Sequence, residues 1–445
     1  MFGFKFLGNT HIPHYKNTSK LEAITMPPPA EVLLPMIQHI GAPATPIVKV
    51  GDTVKVGQKI AEASGYVSSP IYASVSGKVS KIDSYLRPDG KTVPAIRIVS
   101  DGLMTKEEVT PPTVTDLDSF ISAARDSGLV GLGGAGFPTY VKLDAAKKGG
   151  IKYIVLNGAE CEPYITSDTR TMLDKSDLIY EGVRMIEEYV PTVEHVYIGI
   201  EKNKPECIAK MAETFKEDPK VEVKPLPSLY PQGGEKVLIY NTTGLIVGEG
   251  KLPADHGVLV MNVTTLAMLA DYIHTGMPLV ERTVTVDGSA VKEPKNITAP
   301  IGTPIRDIIE FAGGLSEPAG KILFGGPMMG VAACSLDEPI SKNTNAITVL
   351  TAKDAEDKPA GACIHCGRCV RACPMHLNPT EYAKALNLEI KEDRIARLEE
   401  YKVMICMECG CCSYVCPAGR PLVQNNRLAK GEVRDYKAHM ASLKK

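Results

Sequence analysis

The last quarter of the chain contains two copies of one cysteine pattern. Each copy has four cysteines with two, two and three residues between them, and a proline follows the fourth. The eight cysteines are Cys363, Cys366, Cys369, Cys373, Cys406, Cys409, Cys412 and Cys416. Thiolates with this spacing hold iron–sulfur clusters, because three cysteines bind one cluster and the fourth binds the neighbouring cluster. The chemistry that these residues predict is one-electron transfer.

The two motifs predict two [4Fe–4S] clusters whose fourth ligands are exchanged. The expected ligand sets are Cys363, Cys366, Cys369 with Cys416, and Cys406, Cys409, Cys412 with Cys373. A pair of zinc sites is the alternative, since zinc also binds four thiolates, but zinc does not need the fourth cysteine with its proline. The segment between the motifs has helical periodicity, which favours an α-helical ferredoxin domain over residues 360–430.

The remaining cysteines show no metal-type spacing. Cys411 adds a sulfur inside the second motif and is predicted to bind no cluster, whereas Cys207 and Cys334 are predicted to be buried small apolar residues. Eight of the twelve cysteines belong to the two motifs. This distribution indicates a reducing compartment rather than a disulfide scaffold.

Composition excludes several classes of protein. The 445 residues include 50 Lys and Arg against 52 Asp and Glu, and the formal net charge of -2 does not predict a nucleic-acid partner. No apolar run reaches the roughly 18 residues that a membrane-spanning helix needs. The first residues lack the pattern of a signal peptide. We therefore predict a cytoplasmic location.

A glycine-rich stretch, GLVGLGGAGFP at residues 128–138, is the second candidate site. Pro138 predicts the start of a helix, whose free N–H groups attract anions. Gly131 to Gly136 formally match the dinucleotide fingerprint, but a predicted helix precedes them where that fingerprint requires a strand. The stretch predicts a phosphate-bearing ligand without a Rossmann fold; a glycine-rich turn with no ligand is the alternative.

The longer strings GLGGAGFPTYVK and NGAECEP resemble the flavin- and NADH-binding subunit of respiratory complex I. The resemblance implies that FMN is lined by Gly131, Gly133, Gly134 and Gly136. It implies further contacts to FMN or NADH. Lys142 would reach the FMN phosphate or the nucleotide, Phe137 would stack on the adenine, and Asn157 and Glu160 would lie beside the isoalloxazine with Glu162 nearby. Gly233, Gly234 and Glu235 would lie on the nicotinamide side, and Asn262 and Thr265 would also contribute.

Four positions depart from the complex I motif. Leu132, Ala159, Met261 and Ala145 stand where that family has arginine, aspartate, asparagine and a second stacking aromatic residue. The departures imply a differently built adenine site. They also leave open an electron-relay subunit with an inactive flavin site.

Hydrophobic patterning divides the chain into a lead segment, 1–29, and four domains. Residues 30–105 resemble the biotinyl/lipoyl barrel-sandwich hybrid, but no lysine lies between Lys59 and Lys78, so a docking module is predicted instead of a carrier. Residues 116–275 predict an α/β domain with a largely parallel sheet, and the resemblance to the complex I subunit implies that this domain binds FMN and NADH. Residues 280–350 resemble the soluble-ligand-binding β-grasp (SLBB-like) type, with a hairpin turning at Asp287 and Gly288. The ferredoxin domain follows.

This order of domains resembles the C subunit family of the Rnf complex, the membrane-associated ferredoxin:NAD oxidoreductase of bacteria. The resemblance implies a peripheral subunit on the cytoplasmic face of the membrane, which exchanges hydride between NAD(H) and FMN and relays electrons through two 4Fe-4S clusters. Its partners would be the membrane and soluble Rnf subunits, with ferredoxin reached indirectly and Na+ or H+ translocated by other subunits. No catalytic proton donor is expected. A soluble flavin/iron–sulfur NADH reductase of a cobalamin or amino-acid reductase system is the alternative.

Overall fold

The computed structural model describes residues 7–8, 10–87, 90–357 and 359–443. The lead segment, of which residues 1–6 and 9 lie outside the described ranges, contains β1 (Ala23–Thr25). The barrel-sandwich domain follows with seven strands, β2 (Glu31–Pro35), β3 (Thr45–Pro46), β4 (Thr53–Val54), β5 (Lys59–Glu62), β6 (Ile71–Tyr72), β7 (Gly77–Leu86) and β8 (Thr92–Ser100). They form two sheets, ordered β2-β8-β7-β4 and β3-β5-β6.

The turn between β5 and β6 lies against the next domain. In a carrier this turn would present the modified lysine; here the Tyr66 hydroxyl donates to the carboxylate of Asp144, and the Tyr140 hydroxyl donates to the backbone carbonyl of Tyr66. The Ser69 hydroxyl donates to the carbonyl of Gly128, 3.0 Å away. The turn is therefore fixed by hydrogen bonds on both of its sides.

The α/β domain alternates helices and strands as predicted. Its elements are α1 (Leu117–Asp126), α2 (Thr139–Asp144), β9 (Tyr153–Asn157), α3 (Ser167–Asp174), α4 (Ser176–Tyr189), β10 (His195–Glu201), α5 (Pro205–Thr214), β11 (Val221–Leu226), α6 (Glu235–Thr243), β12 (Val258–Asn262) and α7 (Val263–Thr275), with 3-10 turns at Ala145–Lys148 and Pro253–His256. The sheet order is β11-β10-β9-β12, and every pair is parallel. Parallel strands place their carboxyl ends at one edge, so Asn157 and Asn262 lie side by side there.

The helix before the glycine-rich stretch has clear boundaries. Asp116 and Ser119 form a capping box at the start of α1, and Gly128 takes a φ of 70° just after its end. The segment 128–138, which we call the glycine loop, therefore follows a helix and not a strand. The expectation that this fold differs from the Rossmann arrangement is confirmed.

The β-grasp domain has a sheet of six strands in the order β1-β14-β13-β17-β15-β16. Its own elements are β13 (Glu281–Asp287), β14 (Lys295–Pro300), α8 (Ile305–Phe311), β15 (Ala319–Phe324), β16 (Val331–Ala332) and β17 (Ala346–Thr351). The predicted hairpin is present, because β13 pairs antiparallel with β14, but its connection begins at Gly288 and extends to Pro294 instead of turning within Asp287 and Gly288. Gly288 instead lets the backbone pass close to β17, where an added Cβ would lie 2.1 Å from the carbonyl oxygen of Val349.

The C-terminal helical domain contains α9 (Arg368–Arg371), α10 (Pro379–Ala385), α11 (Lys391–Glu400), α12 (Cys411–Tyr414) and α13 (Leu422–Ser442), with a 3-10 turn at Val403–Ile405. Its core includes Tyr382, Leu398 and Val433, all without exposure to solvent. The helix α13 extends past residue 430, the predicted end of the ferredoxin domain, to Ser442. In the part of the chain that the structure describes, no helix combines the length and apolar character needed to span a bilayer.

Candidate flavin site and cysteine cavities

The glycine loop presents three consecutive free backbone donors. The N–H groups of Gly133, Gly134 and Ala135 donate to no acceptor among the described residues, and all three residues are exposed. Gly134 has a φ of 132°, and no atom lies within 4 Å of the position that a Cβ would occupy. Successive N–H groups of this kind form a concave site for an anion.

The loop packs on the carboxyl edge of the sheet. A Cβ on Gly133 would lie 2.9 Å from Nδ2 of Asn262, so a larger residue would displace the Asn262 amide. The Leu132 N–H donates to Oγ1 of Thr265, at 2.9 Å. Asn262 is itself fixed, since its Oδ1 accepts from the Thr265 N–H at 3.1 Å and its Nδ2 donates to Asp168 at 2.8 Å. Close packing and hydrogen bonds thus bring the predicted residues Gly133, Asn262 and Thr265 together at this edge.

The segment between β11 and α6 also lies at the carboxyl edge of the sheet. Asn157 Nδ2 donates to the carbonyl of Gly233 at 2.9 Å, and Gly234 immediately precedes α6. Glu235 is the first residue of that helix and pairs with Lys142, Nζ to Oε1 at 3.1 Å. Lys142 therefore links the helix after the glycine loop to the predicted nicotinamide side.

Phe137 is the penultimate residue of the glycine loop and is half-buried. Its backbone carbonyl accepts from the N–H of Gly131, at 2.8 Å, and closes the loop. The N–H of Gly136 donates to the carbonyl of Gly131, at 3.2 Å. Gly131 and Gly136 thus define the base of the loop, and Gly133 and Gly134 lie at its exposed end.

Glu160 faces a helix terminus in this structure. Its carboxylate accepts from the N–H of Asp168 at 2.6 Å and from the Thr169 hydroxyl at 2.5 Å, at the start of α3. Burial raises the pKa of Glu160 to about 7, and the nearby Lys16 ammonium opposes this shift. The residue stabilises the first turn of α3, and nothing in its contacts marks it as a proton donor.

Glu162 connects the α/β domain to the β-grasp domain. Its carboxylate accepts from the backbone N–H groups of Met328 and Met329, at 3.0 and 2.8 Å, and from the Tyr230 hydroxyl at 3.2 Å. Burial raises the pKa of this carboxyl. Glu162 therefore fixes a loop of the β-grasp domain and lies on the side of the site that faces the C-terminal helical domain.

One residue that the sequence analysis did not single out holds the segment that carries both glutamates. Lys16 Nζ donates to the carbonyls of Glu160, Glu162 and Ile165, at 2.7, 2.9 and 2.6 Å. Burial lowers the pKa of Lys16 to about 8. The sequence contains no signal for this role, because its partners are backbone carbonyls.

The cysteine motifs enclose two cavities. The first cavity is lined by Cys363, Cys366, Cys369 and Cys416. The second cavity is lined by Cys373, Cys406, Cys409 and Cys412, together with Cys411. Each cavity thus combines three cysteines of one motif with the fourth of the other.

The donor set of each cavity fits a [4Fe–4S] cluster, which takes four thiolates. A single zinc ion requires its sulfurs within about 2.3 Å of one point. Among the described residues, no group of three or more His, Cys, Asp or Glu side chains is arranged to hold one metal ion.

The second cavity adjoins the α/β domain. A Cβ on Gly234 would lie 2.1 Å from Cε of Met407, a residue that lines this cavity. Cys409 and Cys411 are buried in one apolar cluster with Tyr230 of the α/β domain. The first cavity lies nearer to solvent, because Cys366 is exposed and Ile364 is 67% exposed.

The scattered cysteines occupy different environments. Cys207 is buried, as predicted, and burial raises the pKa of its thiol to about 12. The prediction for Cys334 was wrong, since it is exposed in the segment between β16 and β17. Cys161 lies between the two sites, in the apolar cluster that contains Tyr230 and Cys409, and burial raises the pKa of its thiol to about 12.

Comparison with family models matches all four domains. Residues 4–103 match the RnfC barrel sandwich hybrid domain, 124–271 the Nuo51 FMN-binding domain, 283–332 the SLBB domain and 362–420 the 4Fe-4S dicluster domain. Over 438 residues the chain is 44% identical to the C subunit of the proton-translocating ferredoxin:NAD(+) oxidoreductase complex of Clostridium ljungdahlii, covering 96% of this chain and 94% of the relative. The chain belongs to the RnfC family.

A second member of the RnfC family supports this assignment. The C subunit of the Na(+)-translocating ferredoxin:NAD(+) oxidoreductase complex of Acetobacterium woodii is 42% identical over 433 residues, which cover 96% of this chain and 97% of the relative. Named members of the RnfC family thus belong to oxidoreductase complexes. The predictions of fold class, of an oxidoreductase subunit, of FMN and of two 4Fe-4S clusters as cofactors are confirmed.

The fold also occurs in a solved structure outside the RnfC family. The crystal structure of an NAD+-reducing [NiFe]-hydrogenase in the air-oxidized state matches with a TM-score of 0.50 and 17% identity, over 73% of this chain and 64% of that chain. At this identity the likeness concerns the fold.

Proposed function

We propose that this chain is the peripheral subunit of an Rnf complex that exchanges a hydride between NAD(H) and FMN and relays single electrons through two 4Fe-4S clusters. The observation that carries the proposal is the contact between Gly234, at the carboxyl edge of the α/β domain, and Met407, which lines the second cavity. FMN, when bound, exchanges two electrons with a nicotinamide and single electrons with clusters, which neither partner can do alone.

The glycine loop and Lys142 supply what an anionic cofactor needs. The free N–H groups of Gly133, Gly134 and Ala135 are donors for its phosphate, and no side chain fills the space above Gly134. Lys142 adds a positive charge next to the loop, where Glu235 and the carbonyl of Val260 hold its ammonium at 3.1 Å each. These residues bind and orient the cofactor without changing its protonation.

The nicotinamide side of the site is formed by Asn157, Gly233 and Glu235. Hydride transfer requires two stacked rings and no proton donor, so the buried carboxyls of Glu160 and Glu162 have structural roles in this proposal. Both carboxylates already accept hydrogen bonds from backbone N–H groups. Phe137, half-buried beside the loop, provides an apolar surface for the adenine.

The two cavities have different places in the relay. The second cavity packs against Tyr230 and Gly234, so its cluster is the one that exchanges electrons with the flavin site. The first cavity has an exposed cysteine and an exposed apolar neighbour, Ile364, so its cluster faces the partner protein of the complex. Ferredoxin is reached through other subunits, and ion translocation belongs to them as well.

Spectroscopy of anaerobically purified protein tests this proposal. One FMN and about eight iron atoms per chain are expected, and NADH should bleach the flavin absorbance. Protein that binds iron but no flavin would support the electron-relay alternative and refute the hydride step. In cells, association with membranes that requires the other Rnf subunits and is reversed by a high-salt wash would support the peripheral location, whereas a fully soluble protein in their presence would favour the soluble reductase.

A further inference from the structure

Two side chains of the β-grasp domain donate hydrogen bonds to the glycine loop. Asn343 Nδ2 donates to the carbonyl of Gly134 at 2.8 Å, and Arg282 Nη2 donates to the carbonyl of Leu132 at 3.1 Å. Leu132 is buried and Gly134 is exposed, and each carbonyl immediately precedes a free N–H group, that of Gly133 or that of Ala135. The β-grasp domain thus contacts the part of the loop whose N–H groups are free.

The position of these donors is itself fixed. Lys342, directly before Asn343, is 1% exposed, and its Nζ donates to the carbonyls of Pro70 and Gly128 at 2.5 and 2.8 Å. Arg282 is buried and its Nε donates to the carbonyl of Thr344 at 3.4 Å. The segment that carries Asn343 is therefore held by contacts with both the barrel-sandwich domain and the base of the glycine loop.

The geometry of the peptide bond makes these contacts directional. In a trans peptide the C=O of one residue and the N–H of the next point in opposite directions. The carbonyl of Leu132 shares a peptide plane with the N–H of Gly133, and the carbonyl of Gly134 shares one with the N–H of Ala135. A hydrogen bond that holds one of these carbonyls toward the β-grasp domain therefore points the N–H group of the next residue away from that domain.

We propose that Arg282 and Asn343 are positioning residues that aim the N–H groups of Gly133 and Ala135 at the phosphate of the cofactor. The proposal rests on the proposed function, since it assumes that the glycine loop binds FMN. It gives the β-grasp domain a share in cofactor affinity through side chains that act on the loop and not on the ligand. Arg282 and Asn343 lie about 150 and 209 residues from the carbonyls that they hold.

Replacing Asn343 with leucine, which has a similar volume and no donor, tests this arrangement. Loss of one positioning hydrogen bond should raise the Kd for FMN about three- to tenfold. The Kd for riboflavin, which lacks the phosphate, should stay unchanged. Asn345→Leu is the matched control, because no hydrogen bond joins the Asn345 side chain to another group in the described part of the chain.

The measurement is a fluorescence titration of flavin-free, full-length protein with FMN and with riboflavin, alongside its thermal unfolding. Arg282→Met should likewise raise the Kd for FMN and leave the Kd for riboflavin unchanged, and its thermal unfolding shows whether loss of the buried charge also destabilises the fold. Equal weakening of FMN and riboflavin, or an FMN Kd within twofold of the wild type for Asn343→Leu, would overturn the positioning role. Wild-type protein that binds neither flavin would instead refute the proposed function.

Discussion

Replacing Cys373 with alanine tests whether the two cysteine motifs exchange their fourth ligands. Cys373 lines the second cavity with Cys406, Cys409 and Cys412, and its Sγ accepts from the N–H of Leu377 at 3.3 Å. The variant should therefore damage the cluster of the second motif and leave the cluster of the first motif intact. Because each cluster contains about four iron atoms, the iron content should fall from about eight toward about four per chain, or to about seven if a three-iron form survives.

Cys416→Ala is the matched control, since Cys416 is the fourth cysteine of the first cavity. The two variants should remove equal amounts of iron but perturb different EPR signals. They should also differ in electron transfer, because the second cavity is the one that contacts Gly234 and Tyr230. With NADH as reductant, Cys416→Ala should retain about half of the cluster bleaching and Cys373→Ala should lose nearly all of it, if NADH can reduce these clusters.

The assay combines iron and sulfide counts with low-temperature EPR of dithionite-reduced and NADH-reduced protein. Reduction by dithionite reports whether a cluster is present, and reduction by NADH reports whether electrons from NADH reach that cluster. Cys411→Ser, which alters a cavity residue outside both predicted ligand sets, should keep both EPR signals. If Cys373→Ala loses the signal that Cys363→Ala also loses, the fourth ligands are not exchanged and the assignment of the two cavities fails.

Three further outcomes follow from the structure. Gly134→Val should lose FMN, because it places a branched side chain at a φ of 132° in the ligand space; stoichiometric flavin in the purified variant would remove the loop from the site. Burial lowers the pKa of Lys342 from 10.5 to about 7. Between these pH values the unfolded chain binds more protons than the folded chain, so the thermal unfolding midpoint should rise with pH. Lys342→Met should weaken this dependence of the midpoint on pH, and an unchanged dependence would contradict the assignment. A chain ending at Asp354 should still oxidise NADH with an artificial one-electron acceptor, although it exposes Tyr230 and Ile12 and should be less soluble; flavin binding without NADH oxidation would exclude the nicotinamide site.

The predictions from sequence succeeded where the signal is local. The cysteine spacing and the following proline lie within twelve residues of each other in each motif, and the helices and parallel strands of the α/β domain follow from periodic apolar residues. The helix that the sequence predicts before the glycine loop is present as α1. In these cases the residues that determine the structure are neighbours in the chain.

The contacts that hold the glycine loop could not be predicted in this way. Arg282 and Lys342 donate to backbone carbonyls of the loop, and Lys16 donates in the same way to the segment that carries Glu160 and Glu162. These acceptors are distant in sequence, and every residue has a carbonyl, so no residue pattern marks them. Glu160 and Glu162 were placed by resemblance, whereas their hydrogen bonds depend on α3 and on the loop at Met328. The exposure of Cys334 could not be predicted either, because the apolar character of a side chain does not determine whether a residue between two strands is buried.

The lead segment makes the order of protein synthesis important for this chain. The N–H of Leu7 donates to Oδ1 of Asn241 at 2.9 Å, and β1 pairs in parallel with β14, Ala23 opposite Asn296. Both partners are translated long after the segment itself, so at roughly 5–20 residues per second β1 waits about 15–55 s for its neighbour on the ribosome. The barrel-sandwich strands can pair within that time, so β1 is left without its sheet partner while the barrel-sandwich and α/β domains are synthesised.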